Sequence, residues 1–100
     1  MNAEKERLTM KEFRVYKYPI EARMTSIEVP DDSRVLSVAN QHERAVVYIA
    51  VGTSTRKTKI TVYATVTGCD NTGFEGFEFL GTLLFQGGSY VAHYFYRRDA

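Results

Sequence analysis

Chemistry in a chain of 100 residues starts from the few side chains able to ligate a metal or attack a bond, and here the thiol and imidazole groups are Cys69, His42 and His93. A structural zinc site takes about four Cys or His ligands and a catalytic one about three plus an open position. Carboxylates would have to complete either set, and no two of the three residues stand at knuckle or helical spacing, so the sequence predicts no metal and no other cofactor. A nucleophilic thiol needs a base or an electropositive setting to become a thiolate. Cys69 is followed by Asp70 in a Gly- and Asn-rich stretch, only folding could bring His93 to it, and it reads as an incidental loop thiol. Asp31-Asp32 lies between Pro30 and Ser33, where adjacent carboxylates diverge on a turn and lack the alternating oxygen ligands of a calcium loop. The stretch from Gly68 to Gly76 has no Gly-Lys-Thr ending and leads into a strand, so it lacks the helix N-terminus that holds a phosphate. No catalytic residues are expected, and the chain reads as a non-enzyme.

Groups suited to binding are better represented. Thr53-Ser54-Thr55-Arg56-Lys57-Thr58-Lys59 sets the cations Arg56, Lys57 and Lys59 among hydroxyls, which is the chemistry of phosphate contacts and also that of an ordinary solvated turn. Aromatic and basic residues interleave at both ends of the domain. One run is Phe13-Arg14-Val15-Tyr16-Lys17-Tyr18, with Tyr16 and Tyr18; the other is Tyr90 to Arg98, with Tyr90, Tyr94 and Tyr96. Bases stack on aromatics beside cations, but exposed tyrosines are equally the material of protein interfaces. A net charge of +1 supplies no field for a polyanion, which favours a protein partner or a homo-oligomer and leaves nucleic acid as the alternative. If Val91, His93 and Phe95 turn inward, Tyr90, Tyr94 and Tyr96 form an amphipathic stripe outside, flanking the small Ala92.

The elements that position these residues are strands. Stretches rich in Val, Ile, Tyr, Phe and Thr recur between turn residues, and no stretch sustains a helical period. Strands are predicted over 13–18, 25–29, 35–39, 45–51, 58–67, 77–85 and 90–96. Pro30 to Ser33 suits a type I turn and Gln86-Gly87-Gly88-Ser89 a tight hairpin, with a polar loop over 40–44 and a hairpin connection over 52–57. Ala45 to Val51 is apolar on both faces and is expected to be a central, doubly covered strand. In the fifth strand Ile60, Val62, Ala64 and Val66 alternate with Lys59, Thr61, Tyr63, Thr65 and Thr67, giving one core face and one wet face. The fold class is therefore all-β, a small sandwich or barrel of about seven antiparallel, mostly hairpin-connected strands. It occupies residues 13–100 as one domain behind a charged leader, 1–12, that frays or forms one helical turn.

A hydrophobic fraction of 44% with 25% charged residues is that of an ordinary globular chain and excludes intrinsic disorder. The apolar run from Ala45 to Val51 is far short of the roughly 20 residues of a membrane-spanning helix. Met1 to Leu8 is charged and not a secretory signal, and a lone cysteine suits a reducing compartment, so the expected place is the cytoplasm, with no membrane partner.

Several segments together resemble a family of short phage- and prophage-encoded proteins of uncharacterised function. They are Tyr16-Lys17-Tyr18-Pro19-Ile20, Ile27-Glu28-Val29-Pro30 with Val35-Leu36-Ser37-Val38, Gly81-Thr82, Gly87-Gly88, and Val91-Ala92-His93-Tyr94-Phe95. Relatives usually have Trp where Tyr16 stands, begin with Met-Lys where Met10-Lys11 lies here, and carry Pro in the loop before Gly81 that is Gly-rich here. The resemblance implies that residues 1–9 are an added leader or that translation can start at Met10. It also implies a phage or prophage gene, without an activity. The function expected is that of a non-enzymatic phage accessory protein that binds a host macromolecule, such as a component of a defence system. A nucleic-acid-binding small β-barrel and a ligand-sequestering protein are the alternatives.

Overall fold

Period-two alternation of branched and aromatic side chains, interrupted by Pro, Gly and Asx turns, produces seven strands in the computed structural model, which describes residues 8–99. They are β1 (Arg14–Pro19), β2 (Met24–Pro30), β3 (Arg34–Gln41), β4 (Arg44–Val51), β5 (Lys57–Val66), β6 (Glu78–Phe85) and β7 (Tyr90–Arg98). All pairings are antiparallel, in a three-stranded sheet of order β1-β4-β3 and a four-stranded sheet of order β2-β5-β7-β6. The two sheets pack face to face as a sandwich and do not close into a barrel. Val47 and Ile49 of β4 meet Ile60 and Val62 of β5 in the core, with Ile27, Val29, Phe85, Ala92 and Tyr94 around them. No helix among the described residues is long and apolar enough to cross a membrane.

Connectivity differs from the expected run of hairpins. The β3–β4 and β6–β7 links are hairpins, whereas the segment expected as a hairpin over 52–57 carries the chain from β4 in one sheet to β5 in the other. The polar loop over 40–44 contracts to a two-residue turn, His42-Glu43, with both residues at positive φ. β4 is central, but only in a three-stranded sheet. Its outward side chains Val46 and Ala50 are buried between cross-strand neighbours, Pro19 with Ala39 and Val15 with Arg34, rather than beneath another layer.

The Pro30–Ser33 turn forms as expected, with the Ser33 N–H donating to Pro30 O at 3.0 Å. Asp32 then accepts the N–H groups of Ser54 and Thr53, each at 3.1 Å, which tie the turn to the β4–β5 crossover and hold its carboxyl below the ordinary range. A Cβ on Gly52 would lie 2.2 Å from that carboxylate, so the close approach requires glycine. β7 runs to Arg98, two residues past the expected end. The Arg98 guanidinium donates to Asp31 O at 3.1 Å and to Ser33 O, closing the same junction.

The two long sides of the sandwich are unlike. β3 lies along β6, whereas β1 and β2 make almost no contact with each other. Of the leader expected over 1–12, residues 1–7 lie outside the described residues. Residues 8–12 form no helical turn, and Leu8 and Met10 are half-buried.

Candidate functional site

Register assigns every side chain of the four-stranded sheet to one of its faces. Across the outer face, Met24 pairs with Tyr63, Tyr63 with Phe95 and Phe95 with Phe79, which makes a row from edge to edge. The next row is Thr65, His93 and Thr82, and beyond it Val91 stands beside Leu84. The β5–β6 loop folds back over the first row, where Phe74 meets Tyr63 at 4.5 Å and Phe95 at 5.0 Å between ring centroids, and Phe77 meets Phe74 at 5.6 Å. Most of these contacts are edge-to-face, the arrangement that ring quadrupoles favour. Arg23 lies over Tyr63 at 5.3 Å and Arg97 over Phe77 at 4.7 Å, so both cations are seated on rings. The face expected to be wet is therefore half covered, and Thr61 and Thr65 on it are buried.

What this cluster leaves uncovered is apolar: Phe79 is 61% exposed, Leu84 58% and Met24 54%. His93 sits among them, half-buried, with Nδ1 2.9 Å from Thr82 Oγ1 and Nε2 2.8 Å from Thr67 Oγ1. Hydroxyls can donate or accept, so this bracket serves either imidazole tautomer. It also occupies both ring nitrogens and leaves neither to activate Cys69, which is exposed in the β5–β6 loop.

The tyrosine stripe is inverted relative to expectation. Ala92 and Tyr94 belong to the core, Tyr94 at 5% exposed, and Tyr96 packs against them. Val91, His93 and Phe95 are the residues that face outward. Burial raises the Tyr94 hydroxyl, helped by Tyr90, and burial with a 2.7 Å bond to Glu78 pushes Tyr96 up to about 12. Tyr90 alone of the three is open, its ring 5.9 Å from that of Phe85. With Tyr94, Ile20, Arg23, Thr65 and Cys69 it lines a cavity of about 390 Å³ at one end of the sandwich.

Tyr18 packs against the core and is raised by burial and by Tyr16, while Tyr16 remains largely exposed at the β1 edge. Arg56 and Lys57 are exposed at the crossover, and Lys59 lies on the outer sheet face opposite Glu28. The structure thus separates the expected binding residues: Tyr90 at one end, Arg56 and Lys57 at the crossover, Tyr16 on an edge, Tyr94 and Tyr96 inside. Sequence reading missed Phe79, Leu84, Met24, Phe74 and Phe77. The available signal was the density of Phe between 74 and 85, obscured because β6 breaks its own alternation between Phe79 and Gly81. Among the described residues no group of three or more His, Cys, Asp or Glu is placed to hold a metal ion.

The model of a family described as a domain of unknown function, DUF7352, matches residues 11–100, and the chain belongs to that family. No curated protein and no solved structure matches it.

Proposed function

We propose that this member of the DUF7352 family is a non-enzymatic binding protein that engages a protein partner through the outer face of its four-stranded sheet. The observation that carries the reading is the exposure of Phe79, Leu84 and Met24 on one face, with half-buried Phe95 and Val91 between them and His93 at the centre. Apolar patches of this kind, rimmed by polar groups, mark interaction sites on monomers. A partner that covered them would also find the remaining hydrogen-bonding capacity of the Thr67 and Thr82 hydroxyls beside His93 at the middle of the interface.

Protein is favoured over single-stranded nucleic acid by ring geometry. Bases stack on ring faces that are flat to solvent beside free cations. Here the rings meet edge to face, and Arg23 and Arg97 lie on Tyr63 and Phe77. The resemblance to phage- and prophage-encoded proteins supports a host protein as the partner, a defence component among the candidates, and the host cytoplasm as the place of encounter.

The test is capture from host extract with the wild type and with Phe79→Glu, each with and without nuclease. One host protein should be recovered in near-stoichiometric yield, nuclease-resistant, and weakened roughly thirtyfold by the substitution, as for a hot-spot side chain. Nuclease-sensitive recovery would replace protein by nucleic acid, and equal recovery by Phe79→Glu would move the site elsewhere.

A further inference from the structure

We propose that β1 is a self-association edge, at which a second copy of this chain adds an antiparallel strand so that two three-stranded sheets become one continuous sheet. Ile20 N–H donates to Ala45 O at 3.0 Å, continuing the β1–β4 ladder. Because bonded and non-bonded residues alternate along an antiparallel pair, Tyr18, Tyr16 and Arg14 turn their N–H and C=O groups to β4. Val15, Lys17 and Pro19 turn theirs to the free edge. Pro19 has no N–H to offer there, which suits a proline in an edge strand. Val15 and Lys17 leave both a donor and an acceptor unpaired within the sheet.

The side chains of this edge are unusually open for a strand in a core-forming sheet. Val15 is 49% exposed, Tyr16 47% and Phe13, just before β1, 39%. The other free edge, β2, differs: Ile27 and Val29 are already buried and its open apolar side chain, Met24, stands at the strand's first residue, so an added strand there would cover less apolar surface than at β1. The gain from pairing lies at β1.

The occupant follows from self-complementarity. With Tyr16 on a two-fold axis, Val15 stands opposite Lys17 of the second copy, and each such pair exchanges both backbone bonds. Arg14 then stands opposite Tyr18 of the second copy, and the two Tyr16 residues meet at a non-hydrogen-bonded position, where side chains approach most closely. No like charges oppose one another. A slide of two residues that places Lys17 opposite its own counterpart would oppose like charges, and a slide the other way moves the pairing out of β1 into residues 11–12. A second copy in this one register uses the whole strand.

Sedimentation equilibrium on the wild type, Val15→Pro and Tyr16→Asp tests this. Val15→Pro removes an outward N–H at a position equivalent to Pro19, and Tyr16→Asp puts like charges on the axis while leaving the backbone intact. The wild type should be a dimer. Both variants should dissociate at least about tenfold more readily with unchanged far-ultraviolet circular dichroism. A wild type that stays monomeric up to roughly 1 mM, or a folded Tyr16→Asp that remains dimeric, would overturn the proposal. So would a β1 that pairs only with a strand from another protein.

Discussion

The closed side of the sandwich and its open side are built from the same kind of strand and finished differently. On the closed side, β3 and β6 each break register once, between Val35 and Ser37 and between Phe79 and Gly81. A bulge bends and twists its strand, and two of them bring these strands together. Gly81 marks the contact, since a Cβ there would lie 2.9 Å from a Val38 methyl. At the hairpin tips Asn40 donates to Leu84 O at 2.8 Å and Glu43 accepts the Gln86 N–H at 2.7 Å. His42, Glu43 and Gln86, the non-glycine residues at positive φ among those described, all stand at this clasp. β1 and β2 run in unbroken register, end in Pro19 and Pro30, and make almost no contact with each other. Closure therefore comes from irregularity; regular edges stay open, the condition under which a further strand can add.

The core common to both sides sets the scale for breaking this comparison. Tyr94→Ala should cost about 3–5 kcal/mol in urea unfolding, the loss typical of a large aromatic removed from a core. Intact stability with lost binding would instead return Tyr94 to the surface. Next in size, Gly81→Val should destabilise by about 1–3 kcal/mol by overpacking the closed side, while Val15→Ala on the open edge of the monomer should change stability by no more than about 0.5 kcal/mol. Equal losses would mean that the two sides are equally closed.

The smallest effect expected is on acid stability. The Gln86 N–H, with the Asn40 amide second, holds Glu43 below its ordinary value, and Asp32 is lowered by Ser54 N–H first. A carboxyl lowered by folding contributes stability above its unfolded value, and that contribution is lost as pH falls through the folded one. The thermal midpoint should therefore drop as pH falls through and below the ordinary carboxylate range, less steeply in Glu43→Gln and in Asp32→Asn. Unchanged slopes in both variants would remove these carboxylates from the account of the clasp and the crossover.

Period-two patterning and turn residues determined the positions of all the strands to within one or two residues, because these are local properties of the chain. The Pro30–Ser33 turn and the glycine-rich β6–β7 hairpin were legible for the same reason. Strand partners were not. A connection of a few residues can serve a hairpin or a crossover, and 52–57 proved to be a crossover because Asp32 captures the Thr53 and Ser54 N–H groups from a distant turn. The faces of β7 were equally beyond local reading, since Tyr90, Tyr94 and Tyr96 are about as apolar as Val91, His93 and Phe95. Register decided it. Tyr94 lies between Ala64 and Gly81, whose small size leaves room for a ring inside, whereas His93 lies beside Thr82, whose hydroxyl meets its Nδ1 outside. Cross-strand neighbours exist only once the sheet has formed, so the sequence determined which residues are strands and the tertiary structure decided which of their aromatics face a partner.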